Sequence, residues 1–391
     1  MANTLIVNPG STSRKYALYK DSVSIVVLFF ESKGDDFCMN VIRNGIKISE
    51  EKMTAHEFSQ SLKYAVTYLV SHSDVASIDE IESVGIRVVA PGTYFTKHRV
   101  IDAAYVQTLR EIEDVAPLHV PALLDEVRFI GKVLPKTKTY GISDSAFHTT
   151  VPEYISTISI PKADAKKYDI RRFGYHGISV ASIARRLKKQ FGQVPERTIV
   201  CHVGGGISIV ALHKGVSIST SMGYSPVSGS IMGSRGGDIT AGVVAALTVF
   251  TPLKGKKLYD YLYKESGFKG VAGVSDLRLV LERRASGDPD AILAINMFVH
   301  EVHSWIGAHA TLLGGIDAIV LTATASERNP TVRNLLLADL ELFGIEIDTE
   351  KNECVIGEEG FIHSKASKVK IAVMKTDEMG EIEREIQNFK Q

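Results

Sequence analysis

Residues 198–210 read TIVCHVGGGISIV, and the same design stands near the start of the chain, where residues 4–18 read TLIVNPGSTSRKYAL. Thr4 corresponds to Thr198, Asn8 to His202, Gly10 to Gly204 and Ala17-Leu18 to Ala211-Leu212, at a constant offset of about half of the 391 residues. Each copy is a strand-forming run, a polar residue, a glycine turn and a second strand-like run, which is the pattern of a hairpin. Two such hairpins half a chain apart predict a duplicated domain, with the turns facing each other across a cleft. Glycine lacks a Cβ, so a turn of this kind serves either as an ordinary connection or as a place where backbone N–H groups come up against an anion such as phosphate. In the first copy Ser11, Thr12, Ser13 and Lys15 add hydroxyl donors and a cation, which suits phosphate. No GxxxxGK[ST] loop occurs anywhere in the chain.

The length predicts two domains, because single cores rarely grow past about 250–300 residues. Forty-five lysines and arginines balance 45 aspartates and glutamates, which leaves no electrostatic footprint for nucleic acid or a membrane surface. Any anion site must therefore be local. Cys38, Cys201 and Cys354 form no CxxC pair, which argues against a disulfide framework or thiolate metal site and fits a cytoplasmic protein. The N-terminus lacks a basic, apolar signal pattern, and the apolar run 23–30 is far shorter than a membrane span and reads as a buried strand.

Further strands are expected at 23–30, 38–42, 84–89, 318–322 and 369–374, and helices at 55–70, 180–191, 241–250, 289–313, from about 330, and from about 376 to the end. This alternation is α/β. Arg87 lies inside an apolar strand run, where a charge is costly unless paired; it is either salt-bridged or aimed at an anionic ligand. His119 stands in a loop before a helix started by Pro121. Asp144, in YGISDSAFH, is a candidate metal ligand or base, or an Asx turn. His176 sits between glycines in RRFGYHG. The stretch 220–239, TSMGYSPVSGSIMGSRGGDI, has Arg235 as its one cation and reads as an ordered functional loop. A glycine-bearing turn is expected over 270–278. The HEVH at 300–303 lacks the spacing of a zinc HExxH and reads as solvated or core histidines. The turn ATASER, between a strand and a helix, is a place where a nucleotide meets a helix N-terminus. The domain boundary is expected near 145–152, giving domains 1–148 and 149–378, with the helix 379–391 packing back on the first.

NPGSTSRK, GIRVV, APLH, SDSAFH, RRFGYHG, HVGGGIS, TSMGYSPVSGSIMGSRGGDI and GVSDLR occur in an order and spacing that resemble the acetate kinase family over nearly the whole chain. The resemblance implies duplicated actin-like, ribonuclease H-like α/β domains around a central active-site cleft. It further implies reversible phosphoryl transfer between ATP and a short carboxylate, with Mg²⁺ (or Mn²⁺), in a homodimer. By motif, Arg87 resembles the arginine that holds the substrate carboxylate, and Val89, Leu118, Tyr175 and Pro226 the acyl pocket. Tyr175 replaces the usual phenylalanine and so adds a hydroxyl there. His176 and Arg235 resemble the groups that stabilise the phosphoryl group in flight, with His119 beside it and Asp144 as the active-site acid. Asn8 and Glu378 resemble the magnesium residues. Lys15, His202, Val203, Gly204, Gly205, Gly206, Asp276, Leu277 and Arg278 resemble the contacts to donor phosphates and nucleotide, and Thr324, Ala325, Ser326, Glu327 and Arg328 stand at the adenosine motif.

The chain departs from that pattern in places. Gly205 takes the usual asparagine position, Ile86 and Ala90 replace flanking histidines, and GVSDLR is one residue short. NPGST and GGGIS are closer to the butyrate kinase branch. TASER replaces Gly-Ile-Gly-Glu-Asn, so Thr324 and Ser326 each add a Cβ and a hydroxyl and are expected to disfavour a positive φ there. Pyrophosphate and phosphate are therefore an alternative to ATP and ADP, and propionate or butyrate to acetate. A non-catalytic relative is a further alternative, opposed by the joint survival of Asn8, Arg87, Asp144, His176, Arg235 and Glu378.

Overall fold

The computed structural model describes residues 3–10, 13–33 and 36–390. The hydroxyls of Ser11 and Thr12 lie outside the described residues. The chain divides into two compact units, Met1–Ala146 with Asp377–Gln391, and Phe147–Thr376.

The first unit holds an eight-stranded sheet made of β1 (Asn3–Pro9), β2 (Ser13–Lys20), β3 (Val23–Lys33), β4 (Asp36–Arg43), β5 (Ile46–Met53), β6 (Ile81–Val88), β7 (Arg99–Val100) and β8 (Lys138–Ser143). Their order is β5-β4-β3-β2-β1-β6-β8-β7. The second unit holds a six-stranded sheet of β9 (Arg197–Val203), β10 (Ile207–His213), β11 (Val216–Thr220), β12 (Ala318–Thr322), β13 (Gly360–Phe361) and β14 (Lys370–Val373), in the order β11-β10-β9-β12-β14-β13.

The two sheets share one plan. Antiparallel β3-β2-β1 is continued by parallel β6 and β8. Antiparallel β11-β10-β9 is continued by parallel β12 and β14. The sequence repeat is thus a repeat of topology. In each unit the hairpin's first strand becomes a central strand buried on both faces, which is why LIV and IVC are unbroken apolar runs. The hairpins differ in register: Pro9 pairs with Arg14, whereas Val203 pairs with Ile207. Asn8 therefore faces Lys15, and His202 faces Ser208.

Local signals set most helix ends. The helix Pro289–Leu313 starts where the Asp288 carboxylate accepts from the N–H groups of Asp290 and Ala291, and ends at Gly314 in the left-handed region. The stretch 55–70 is two helices, Ala55–Ser59 and Ser61–Ser71, because Gln60 leaves helical geometry. The expected turn at 270–278 is instead the end of helix Gly267–Ala272 and the start of Leu277–Ala285, since the Asp276 side chain caps the second helix. The ATASER turn contains a short helix, Thr324–Arg328.

The C-terminal helix Glu378–Lys390 packs on the first sheet through Ile382 and Ile386, both fully buried. It can do so because Gly85 on β6 has no Cβ; one built there would run into both isoleucines. That docking brings the first residue of the helix, Glu378, to the end of β1. Among the described residues no helix is long and apolar enough to cross a membrane.

Candidate active site

In the first unit β1, β6, β8 and the C-terminal helix bring four polar side chains together. Arg87 Nη2 donates to Asp144 Oδ2 at 2.8 Å, and Arg87 Nη1 lies 3.4 Å from Glu378 Oε1. Asn8 Nδ2 donates to Glu378 Oε2 at 2.8 Å. Asp144 is fully buried, at the end of β8, where its N–H donates to the carbonyl of Val88 at 2.9 Å. Burial opposes the guanidinium charge, but Asp144 and then Glu378 outweigh it and hold the Arg87 pKa above its ordinary value. The buried Arg87 Nε has no hydrogen-bond partner among the described residues. A buried donor left unmet costs about 1–3 kcal/mol. Arg87 is thus salt-bridged, one of the two alternatives its sequence position left open.

Oxygen donors of a carboxylate and an amide are what Mg²⁺ accepts, and it takes few protein ligands when phosphates supply the others. Asn8 and Glu378 fit that demand. Lys15 is exposed opposite Asn8, with Nζ 5.2 Å from the centre of the Phe29 ring. His119 immediately precedes the helix Val120–Val133 and is half-buried, as are Val89 and Leu118.

In the second unit the glycine hairpin is the centre. His176, just before the helix Gly177–Phe191, is in the left-handed region at φ 58°, a conformation that costs a non-glycine residue energy. Its ring stacks on that of His202, with centroids 4.0 Å apart and planes at 21°. His176 Nδ1 is 3.0 Å from Ser208 Oγ, and His202 Nδ1 is 2.9 Å from Ser179 Oγ. A Cβ on Gly206 would lie 2.8 Å from His176 Nε2 and 3.7 Å from Arg235 Nη1. The third glycine of the hairpin is therefore where a histidine and an arginine converge. Gly204 keeps a different space open: its Cβ would meet the Ala323 Cβ at 3.2 Å. Around Gly205 nothing lies within 4 Å. None of the three has a positive φ, so Gly204 and Gly206 serve room rather than backbone conformation.

Arg235 is held by an ordered loop. Its Nη1 donates to the carbonyl of Pro226 at 3.1 Å, and its own carbonyl accepts from Met232 N–H at 3.0 Å. Ser230, Ile231 and Met232 are buried. Asp238 accepts from Gly229 N–H at 2.9 Å, and the carbonyls of Met232 and Gly233 accept from Phe268 and Lys269. The Tyr175 hydroxyl donates to the carbonyl of Tyr224 at 2.7 Å, and the side chain is fully buried.

Thr324 and Ser326 are helical, and the positive φ, 71°, falls one residue earlier on Ala323. The conformational objection to losing both glycines is thereby removed. Ser326 is buried and turned inward, its Oγ without a partner among the described residues, while Thr324 is exposed. Glu327 Oε1 accepts from Ala323 N–H at 2.8 Å and Thr376 N–H at 3.0 Å, so it braces the turn. Ala325 is half-buried and Arg328 exposed. Asp276 accepts from its neighbour Arg278, 2.6 Å to Nη2, and that contact comes first among the causes holding its carboxyl below the usual range; Leu277 opens the helix between them.

Sequence reasoning passed over Ser208 and Ser179, which bond the two histidines, and Thr376, which donates to Ser179. Ser208 was visible in GGGIS as the residue two after the glycines, but nothing local marks Ser179 or Thr376.

Residues 3–384 match the model of the acetokinase family. The chain belongs to that family. The acetate kinase of Streptococcus agalactiae is 36% identical over 397 residues, covering 100% of each chain. The crystal structure of Porphyromonas gingivalis acetate kinase superposes with a TM-score of 0.85 at 30% identity, covering 100% of both chains. That of a propionate kinase from Francisella tularensis gives 0.87 at 32% identity, over 99% of this chain and 100% of the other. The duplicated α/β architecture of this family member is the actin-like fold expected from the resemblance.

Proposed function

We propose that this acetokinase-family member is a short-chain carboxylate kinase that transfers a phosphoryl group reversibly between ATP and acetate, giving acetyl phosphate and ADP. The observation that carries the reading is the convergence of His176 Nε2 and Arg235 Nη1 on the glycine hairpin at Gly206. Phosphoryl transfer asks the protein for positioning and for compensation of charge on the transferred oxygens, and little covalent chemistry. A carboxylate attacking a phosphate brings two anions together. Arg235 and His176 offset the charge on the phosphoryl group, and Arg87 Nε supplies a donor for the attacking carboxylate. Asn8 and Glu378 would hold Mg²⁺, which when bound neutralises phosphate charge. Asp144 orients Arg87, with His119 beside the transferred group. Val89, Leu118, Tyr175 and Pro226 keep the acyl-pocket roles that the family resemblance implies.

In this reading Asn8, Arg87, Val89, Leu118 and Glu378 of the unit Met1–Ala146 with Asp377–Gln391 serve the acceptor and the metal. The unit Phe147–Thr376 serves the donor through Lys15's counterpart hairpin at His202, Val203, Gly204, Gly205 and Gly206, and through Asp276, Leu277, Arg278 and the helix Thr324–Arg328. Pyrophosphate is the second donor to consider, because the exposed Thr324 adds a side chain where the family has glycine. Assays crossing ATP and pyrophosphate with acetate, propionate and butyrate decide both questions. Acetyl phosphate formed from ATP at ordinary family rates supports the main reading, and turnover from pyrophosphate alone replaces the donor. A cytoplasmic setting is supported by three free cysteines. A homodimer is supported by the helix Ala241–Phe250, which has no buried residue and leaves Val249 and Phe250 exposed.

A further inference from the structure

Two hydroxyls lie behind the hairpin histidine and belong to neither the donor nor the acceptor set. Thr376 Oγ1 donates to Ser179 Oγ at 2.7 Å, and Ser179 Oγ is 2.9 Å from His202 Nδ1. Ser179 is fully buried and His202 nearly so. A hydroxyl has one proton to give. Because Thr376 spends its proton on Ser179, the Ser179 proton is available to His202 Nδ1. A neutral imidazole that accepts at Nδ1 carries its own proton on Nε2.

We infer that Ser179 and Thr376 are positioning residues that hold His202 as the Nε2–H tautomer, so that the hairpin histidine meets the donor phosphates as a hydrogen-bond donor. The opposite tautomer would offer a lone pair from Nε2, which an anion repels. The relay is anchored independently of the histidine: Thr376 N–H donates to Glu327 Oε1, the same oxygen that accepts from Ala323 N–H at the start of the helix Thr324–Arg328. Thr376 is thereby fixed by the helix at the adenosine motif. One chain of hydrogen bonds, half-buried at Glu327 and Thr376 and buried at Ser179 and His202, joins that helix to the glycine hairpin. The stacking of His176 on His202 then orients a second ring through the first. The inference rests on the kinase reading only for the identity of the ligand.

The test uses full-length protein labelled with ¹⁵N in its histidines. Long-range ¹H–¹⁵N spectra report which ring nitrogen carries the proton, and His202→Asn identifies the signal. Wild type and Thr376→Ser should show Nε2–H alone, whereas Thr376→Val and Ser179→Ala should show a mixture of tautomers. In calorimetric titrations with magnesium pyrophosphate and with MgADP, each of those two variants should bind the ligand that wild type binds roughly 3–10-fold more weakly, the loss of one hydrogen bond. Thr376→Ser should restore the affinity, the double variant should be no worse than either single one, and acetate affinity should stay unchanged. A wild-type His202 protonated on Nδ1 would overturn the inference. So would a Thr376→Val protein with wild-type tautomer and donor affinity. If wild type forms no acyl phosphate from any donor, the kinase reading falls, while the histidine spectra still decide the relay.

Discussion

Arg87 and Asp144 are locked to one another across adjacent parallel strands, Nη2 to Oδ2 at 2.8 Å, with the carboxylate wholly inside the protein. Removing the cation leaves a buried, uncompensated charge, which typically costs about 3–5 kcal/mol. Arg87→Ala should therefore lose both stability and turnover, and urea denaturation should show the midpoint fall. Arg87→Lys should recover part of the stability but little of the activity, because a single ammonium cannot serve Asp144, Glu378 and a ligand together.

Arg235 donates through Nη1 to the carbonyl of Pro226 and lies against the Met232 sulfur. Arg235→Ala should lower kcat by about 10³–10⁵, the range seen for a transition-state arginine, with the melting temperature nearly unchanged. Near-normal turnover in that variant would refute the role given to it.

The hairpin glycines should differ sharply from one another. Gly206→Ala places a methyl against a His176 ring that is pinned by its stack on His202 and its bond to Ser208. The expected outcome is a fall in kcat of about 10²-fold or more, as for a misplaced reacting group, with little change in stability. Gly205→Ala meets open space and should leave kcat within a factor of about two. Equal effects at both positions in steady-state assays would contradict the geometry.

Stability should fall on mild acidification because of His309. This residue is almost wholly buried, and its Nε2–H donates to the carbonyl of Ile209 at 3.0 Å. Burial lowers its pKa from 6.5 to about 4. The folded pKa lies below the unfolded one, so between these values the unfolded chain binds more protons and stability drops as pH drops. The contribution is complete above about pH 6.5, and about 2 kcal/mol of it should be lost by pH 5. Urea titrations at the two pH values in wild type and His309→Gln measure it, and an equal slope in both proteins would rule it out.

Arg333 should prove structural. It is fully buried beneath the helix Thr324–Arg328, donating to the carbonyls of Ser326, Asn352 and Val355 and to Asn352 Oδ1 at 2.6–2.7 Å. Burial lowers its pKa to about 10, so it stays charged at neutral pH. Arg333→Met leaves those acceptors unmet and should cost about 3 kcal/mol or more, seen as a lower melting temperature. Full stability in the variant would show that the carbonyls find other donors.

The sequence by itself determined the architecture of this protein. Hairpins at 4–18 and 198–212, their buried central strands, and helices such as Pro289–Leu313 follow from periodicity, caps and glycine placement, which are local properties. Arg87, Asp144, His176 and Arg235 were legible too, because polar groups in apolar or glycine-rich runs stand out and because their motifs resemble a family's. Tertiary structure alone decided what those residues do to each other. Gly85 admits the C-terminal helix and so delivers Glu378 to Asn8 and Arg87 across most of the chain length. Helical geometry at Thr324 and Ser326 cancels a conformational objection that the loss of glycine had raised. Ser179 and Thr376 meet His202 only after three separated segments pack together. Such pairings are set by burial and long-range register, and no short window of sequence contains both partners.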